Sequence, residues 1–222
     1  DGSTPDWVEI YNPSSNAVDL AEMSLTDDSL TPRRWIFPAG SILPARGFFS
    51  LRCDPNLPAS GTNTGFGLKA EGGVVYLFNR PADNGTLASA ISYGLQAADW
   101  SIGRVPDGST NWVLTLPNFG GANLPATLGD RAQLKVNEWM ADPASGDDWF
   151  EIFNPNPQPV DISRLWLSDD LNSRQKTQLP ALSFIGFGAS AFQKFIADSK
   201  PSAGPDHVNF ALKAAGEALA IS

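Results

Sequence analysis

The chain contains one pattern twice, and nothing else in its 222 residues restricts the fold as much. Asp6 to Asp28 reads DWVEIYNPSSNAVDLAEMSLTDD, and Asp148 to Asp170 reads DWFEIFNPNPQPVDISRLWLSDD. At a constant offset of 142, 11 of the 23 positions are identical without a gap. Farther on, Phe66 to Leu77 (FGLKAEGGVVYL) matches Phe210 to Ile221 (FALKAAGEALAI) at an offset of 144, so two extra residues fall in the second copy's intervening loop. Solenoid and propeller repeats recur every ~20–50 residues, so this longer period means duplication of a whole domain. The expected division is a first domain at 1–124, a linker at 125–132 and a second domain at 133–222. Leu134 to Pro143 (LKVNEWMADP) precedes the second copy, and its counterpart would begin ahead of Asp1. The first copy is therefore expected to lack its opening strand and the second its C-terminal strands, which makes the chain read as a section of a longer polypeptide.

Within each copy the signals are those of short strands. In DWVEIYN, Trp7, Glu9 and Tyr11 alternate with Val8 and Ile10, the period of an extended strand. Runs such as Trp35–Phe37, Phe48–Leu51, Val74–Phe78, Leu87–Tyr93 and Trp112–Leu116 are separated by Pro, Gly, Asn and Asp. Asp83-Asn84-Gly85 between two such runs predicts a hairpin, because Asn-Gly tolerates the positive φ of tight turns. Helical periodicity is weak, and the Ala-rich stretch 211–220 reads, by the repeat, as loop and strand. Many short strands at regular spacing predict an all-β chain of antiparallel sandwiches or barrels.

These residues, taken in order, resemble the lamin-tail domain in its bacterial extracellular versions. The resemblance is carried by NEWMADP (137–143), DWVEIYNP and DWFEIFNP, AVDL and PVDI, the LTDD and LSDD segments, IFPAGSILPARGF (36–48), FGL with Gly72, SYG (92–94) and SIGRVPDG (101–108). It covers nearly the whole chain in two tandem copies. The second copy departs from it, with Lys176-Thr177-Gln178 near an edge and no Pro-Ala-Gly triplet. The resemblance implies tandem immunoglobulin-like antiparallel β-sandwich domains serving as a non-catalytic module.

Candidate sites are few. His207 is the single histidine, falls opposite Asn63 in a loop, and has no serine or cysteine motif beside it, so it reads as a surface loop residue rather than a catalytic base. Asp27-Asp28 and Asp169-Asp170 recur. Adjacent aspartates after a strand make turns, their side chains accepting backbone N–H groups. The alternative is calcium, which takes roughly six to eight oxygen ligands. It would draw Asp142, Asp147, Asp148, Asp169 and Asp170 to one end of a sandwich, with Asp1, Asp6, Asp27 and Asp28 as first-copy equivalents, although the spacing lacks the regular pattern of a calcium loop. No other cofactor is expected. Glu9 and Glu151 recur inside strands beside Trp7 and Trp149. They read as structural, either on a partly exposed sheet face or bonded to loop amides at a corner, since an unpaired buried charge would be too costly. Recurrence of Trp7 and Trp149 points to packing, while Trp100, Trp112 and Trp166 leave open a sugar-stacking platform. Cys53, alone, alternates with Phe49 and Leu51 and reads as a small buried hydrophobe.

Charge narrows the partners. Net charge is −9, and the 15 Lys and Arg residues are scattered, with Arg33-Arg34 the one adjacent pair. A phosphate-tracking groove needs clustered cations, so nucleic acid is not expected. No apolar run approaches the ~20 residues of a membrane-spanning helix. With these features, the resemblance implies an extracellular or cell-surface structural or adhesive protein whose partners are neighbouring repeats or further copies of itself, in a tandem array or a strand-exchanged filament. An accessory polysaccharide- or matrix-binding module of a secreted hydrolase is the alternative.

Overall fold

A computed structural model describes residues 6–222, and these divide into two compact units. Unit 1 holds the described residues up to Lys69, then Gly73–Ser92 and Ser101–Pro125; unit 2 holds Ala70–Gly72, Tyr93–Trp100 and Ala126–Ser222. The strands of the first part of the chain are β1 (Asp6–Tyr11), β2 (Val18–Asp19), β3 (Ser24–Thr26), β4 (Trp35–Ile36), β5 (Ile42–Leu43), β6 (Phe48–Cys53), β7 (Gly73–Phe78), β8 (Leu87–Tyr93), β9 (Ser101–Arg104), β10 (Trp112–Leu116) and β11 (Leu124–Pro125). They form four sheets, ordered β1-β6, β2-β5, β4-β3-β7-β8 and β11-β10-β9. Those of unit 2 are β12 (Lys135–Met140), β13 (Asp148–Phe153), β14 (Val160–Asp161), β15 (Trp166–Ser168), β16 (Thr177–Gln178), β17 (Phe184–Ile185), β18 (Phe192–Ala197) and β19 (Ala220–Ile221), in sheets β12-β13-β18, β14-β17 and β16-β15-β19. No α-helix occurs among the described residues, and the registered strand pairs are antiparallel. Each unit is all-β in the immunoglobulin-like manner.

The sequence repeat is a structural repeat. In unit 1, Asp6 faces Cys53 and Tyr11 faces Phe48; in unit 2, Asp148 faces Ala197 and Phe153 faces Phe192, the same pairs displaced by 142 and 144. The two extra residues therefore fall between β17 and β18. The opening strand expected ahead of the second copy is β12, bulged between Val136 and Glu138 where it pairs with β13. The corresponding stretch of the first copy lies outside the described residues. At the β7–β8 turn, Asn84 and Gly85 adopt φ of 65° and 56°, the left-handed geometry that Asn-Gly permits.

Alternation decides what is inside. In unit 1 Leu25, Phe37, Leu51, Cys53 and Phe66 are buried, with Phe37 edge-on to both Trp35 and Phe49. Burial pushes the Cys53 thiol up to about 11, against a weaker opposing hydrogen bond with Thr64, so it stays neutral and inert. In unit 2 Phe150, Ile152, Val160, Ile162, Leu167, Phe195 and Phe210 belong to one apolar cluster.

The units are not the contiguous stretches expected from the sequence. Residues 70–72 and 93–100, placed by that reading in a first domain at 1–124, group with unit 2. The physical reason is Leu95, which is buried in the apolar cluster of unit 2, with its carbonyl accepting from Phe184 N at 2.8 Å. The stretch 125–132, expected as a free linker, is also bonded in. Gly129 N donates to Pro159 O at 2.9 Å, and Asp130 N to Asn156 Oδ1 at 3.1 Å.

Leu95→Ala should then destabilise unit 2 by about 2–5 kcal/mol, the range for removing a buried leucine side chain. Residue-resolved hydrogen exchange would read this as lost protection in β13, β17 and β18. Unchanged protection there would contradict the placement of this segment in unit 2.

Candidate functional site

Several polar residues repeated between the copies make the same bonds in both units. Asp6 Oδ2 accepts from Leu68 N at 2.8 Å, and Asp148 Oδ2 accepts from Leu212 N at 3.0 Å. Leu212 is the counterpart of Leu68 at offset 144, so the first residue of each strand clamps the same distant loop. The other oxygen of Asp148 accepts from Asp142 N at 2.9 Å. Asn12, buried after β1, donates to Asn16 O at 2.8 Å and Pro44 O at 2.9 Å while its Oδ1 accepts from Ser14 N. Asn154, buried after β13, donates to Gln158 O and Gly186 O, each at 2.8 Å, and accepts from Asn156 N. A single amide thereby fastens two loops to the end of the strand.

The paired aspartates divide their roles. The second of each pair makes the turn: Asp28 Oδ1 accepts from Leu30 N at 2.9 Å and Asp170 Oδ1 from Asn172 N at 2.8 Å. The residue two before it, Thr26 or Ser168, is buried and accepts the aspartate's own N–H at 3.0 Å. The first of each pair holds a cation. Asp27 ion-pairs with Arg34, whose guanidinium lies 4.8 Å from the centre of the Phe66 ring. Asp169 ion-pairs with Lys176, whose Nζ lies 6.0 Å from the centre of the Phe210 ring. Arg34 and Lys176, like Phe66 and Phe210, are repeat counterparts, so the carboxylate–cation–ring arrangement belongs to both copies. The hydrogen bond to Asp169 raises the Lys176 ammonium above its ordinary value, against a smaller opposing effect of burial.

A third arrangement keeps its place while its chemistry changes. In unit 1 Asn63, buried, donates to Asp54 O, Leu57 O and Pro58 O, each at 3.1 Å, and accepts from Asp54 N at 2.9 Å. In unit 2 its counterpart His207 places Nδ1 2.9 Å from Asp198 Oδ2, and Asp198 is the counterpart of Asp54. His207 is half-buried and tied to a carboxylate only 3 % exposed, rather than free in a surface loop as its position suggested.

Glu9 and Glu151 are fastened differently in the two units. Glu9 Oε2 accepts from Ser50 Oγ at 2.7 Å and from Gly120 N at 2.6 Å, a loop amide. Beside it Trp7 meets Phe119 edge-on at 5.5 Å. Glu151 Oε1 accepts from Asn137 Nδ2 at 2.9 Å, at the bulge of β12, and Trp149 lies under Lys194 Nζ at 4.6 Å. The calcium grouping is not assembled. Among the described residues no three His, Cys, Asp or Glu side chains gather as a ligand set. Asp148 is occupied by two backbone amides, Asp169 by Lys176 and Asp170 by its turn, while Asp147 is exposed. Asp6, Asp27 and Asp28 are similarly engaged, and Asp1 lies outside the described residues. Sequence reading did not single out Asn12, Asn154, Arg34, Phe66, Asp54 or Asp198. Their signal was available, because each keeps an identical or chemically related partner at the repeat offset.

Asp198 gives unit 2 a defined acid sensitivity. Burial pushes its carboxyl up, but the Lys200 amide and then His207 outweigh that and hold it below the ordinary 3.8. A carboxylate held low in the folded state contributes stability that is fully present above the unfolded value and is lost as pH falls through the folded one. Unit 2 should therefore lose stability below about pH 4, and Asp198→Asn should remove that part of the acid slope in urea titrations at pH 2–5. An identical slope in the variant would contradict the assignment.

Comparison with protein families matched the lamin tail domain over residues 1–95. The comparison with curated proteins found no match, and neither did the comparison with solved structures. The matched span contains β1 to β8 with the Asp6, Asn12, Asp27–Arg34 and Asn63 contacts, and reaches Leu95. What residues 1–95 are similar to is thus the lamin tail domain, a family of immunoglobulin-like binding or structural modules.

Proposed function

We propose that the chain is a non-catalytic structural or adhesive protein of the cell exterior, built from tandem lamin-tail-like modules, with residues 133–222 forming the second. Its partners in this reading are neighbouring modules of the same polypeptide or further copies of it. One observation carries the proposal: the acidic and amide side chains that recur between the copies are bonded to loop backbone or to a fixed cation in each unit. Contacts that recur in both units in this way hold the shape of a module. A catalytic carboxylate, by contrast, needs a lone pair directed at a substrate. The exterior location rests on the resemblance to bacterial extracellular modules and on the low share of charged residues, 18 % against roughly 25 % in average domains.

Single-molecule stretching between the two ends tests the reading. Two separate unfolding steps are expected, each releasing about 30–40 nm, from roughly 100 residues at ~3.5 Å per residue. A single step releasing the whole chain would contradict tandem modules. Specific binding of a soluble polysaccharide, abolished by replacing the exposed Trp139, would overturn the structural role in favour of an accessory binding module.

A further inference from the structure

Unit 2 seats the extended segment 93–100 through main-chain contacts. Gly94 N donates to Leu182 O at 3.2 Å, Leu95 N to Ser183 Oγ at 3.2 Å, and Phe184 N to Leu95 O at 2.8 Å. Gln96 Nε2 adds a second bond to Leu182 O at 3.2 Å. The Leu95 side chain joins the cluster of Val160, Ile162, Leu179 and Ile185. A methyl group on Gly94 would lie 2.0 Å from Ser183 Oγ and 2.9 Å from Pro180 Cβ, so the approach requires glycine.

Unit 1 carries the same receptor. The counterparts of Pro180, Leu182, Ser183 and Phe184 are Pro38, Gly40, Ser41 and Ile42, and those of Val160 and Ile162 are Val18 and Leu20. Ser41 Oγ is held by Pro38 O at 2.8 Å, just as Ser183 Oγ is held by Pro180 O at 2.9 Å. The register of β2 on β5 matches that of β14 on β17, with Val18 facing Leu43 and Val160 facing Ile185. Two differences mark the patch. Val18 and Ile42 are 38 % and 50 % exposed, whereas Val160 and Phe184 are 0 % and 3 % exposed. Ile42 N turns back on Gly40 O at 2.9 Å, a tight local bond in place of the one that Phe184 N gives to Leu95 O.

We propose that this patch of unit 1 is a docking site for an extended Gly-Leu-Gln segment of the Tyr93–Ala97 type, supplied by a neighbouring module of the same kind. The proposal rests on the array reading above. The incoming glycine amide bonds Gly40 O, the leucine amide bonds Ser41 Oγ, and the leucine carbonyl takes Ile42 N from its local turn. The leucine side chain covers the exposed Val18. Recognition is strand addition: main-chain bonds supply the affinity, and the glycine–leucine pair supplies the specificity. Unit 1 would then be completed by an added segment of the kind that residues 93–100 supply within unit 2.

The test is a titration of the whole isotopically labelled chain with a synthetic peptide of residues 92–100, followed by backbone amide shifts. Shifts at Val18 and at Gly40–Ile42 are expected at millimolar peptide. They should weaken by at least about tenfold with the Gly94→Ala peptide and in the Ile42→Asp chain, whose substituted side chain is half-exposed and not part of the buried core. No shift at these amides, shifts confined to Leu182–Phe184, or equal shifts with both controls would overturn the docking site. The array reading is tested separately: two unfolding steps on stretching together with no peptide response would leave it standing and remove the docking site.

Discussion

Loop backbone in need of partners is the constraint on which this structure depends. Among the described residues no strand is longer than seven residues and several have two, so most of this backbone lies in turns and connections with no ladder to satisfy it. Buried N–H and C=O groups without partners are costly, and short polar side chains are the local remedy. Asp6, Asn12, Asp28 and Asn63 supply it in unit 1, and Asp148, Asn154, Asp170 and Asp198 in unit 2. The apolar clusters can then be modest, because the loops that cover them are pinned at both ends. Of the acidic residues that recur, Asp6 and Asp148, like Asp28 and Asp170, are first clamps on the backbone.

The two units also show how much of a clamp is position and how much is residue identity. Arg34 and Lys176 lie beside the same aspartate and the same phenylalanine, with the guanidinium closer to its ring than the ammonium. Asn63 fastens its loop with neutral amide bonds, whereas His207 does so through the Asp198 carboxylate, which the Lys200 amide and His207 hold below its ordinary value. Gly40, at φ +85°, is replaced by Leu182 at φ +55°, a conformation that costs a side-chain-bearing residue about 1–2 kcal/mol. In unit 2 the carbonyl of that residue accepts from Gly94 and Gln96, contacts that hold it in place.

What could be read in the sequence was local or periodic. Alternation along DWVEIYN and DWFEIFN placed β1 and β13, and the aspartate pairs announced turns. The Asn-Gly step announced the β7–β8 reversal, and Cys53 was placed inside by its alternation with Leu51. What escaped was non-local. Asp27 and Phe66 meet through Arg34 across 39 positions, a spacing with no periodic signature, and Asp148 reaches 64 residues to Leu212. Residues 93–100 read as part of the first copy because chain order placed them there. Their partners at 182–184 lie almost ninety positions away, and main-chain pairing leaves little trace in residue type beyond Gly94. The calcium grouping is not assembled for a related reason: acidity was visible, but the loop amides bound to Asp148 and Asp170 and the ammonium of Lys176 beside Asp169 were not.

The account stands most directly on the repeated amide clamp, and one measurement addresses it: native-state hydrogen exchange, resolved by unit, on Asn12→Ala and Asn154→Ala. Each substitution removes the donated bonds and leaves loop carbonyls without their partner, a cost of about 1–3 kcal/mol. The account predicts a loss of that size in unit 1 for the first variant and in unit 2 for the second. Protection unchanged within about 0.5 kcal/mol in both would show that the recurring side chains do not hold the modules together, and would contradict it.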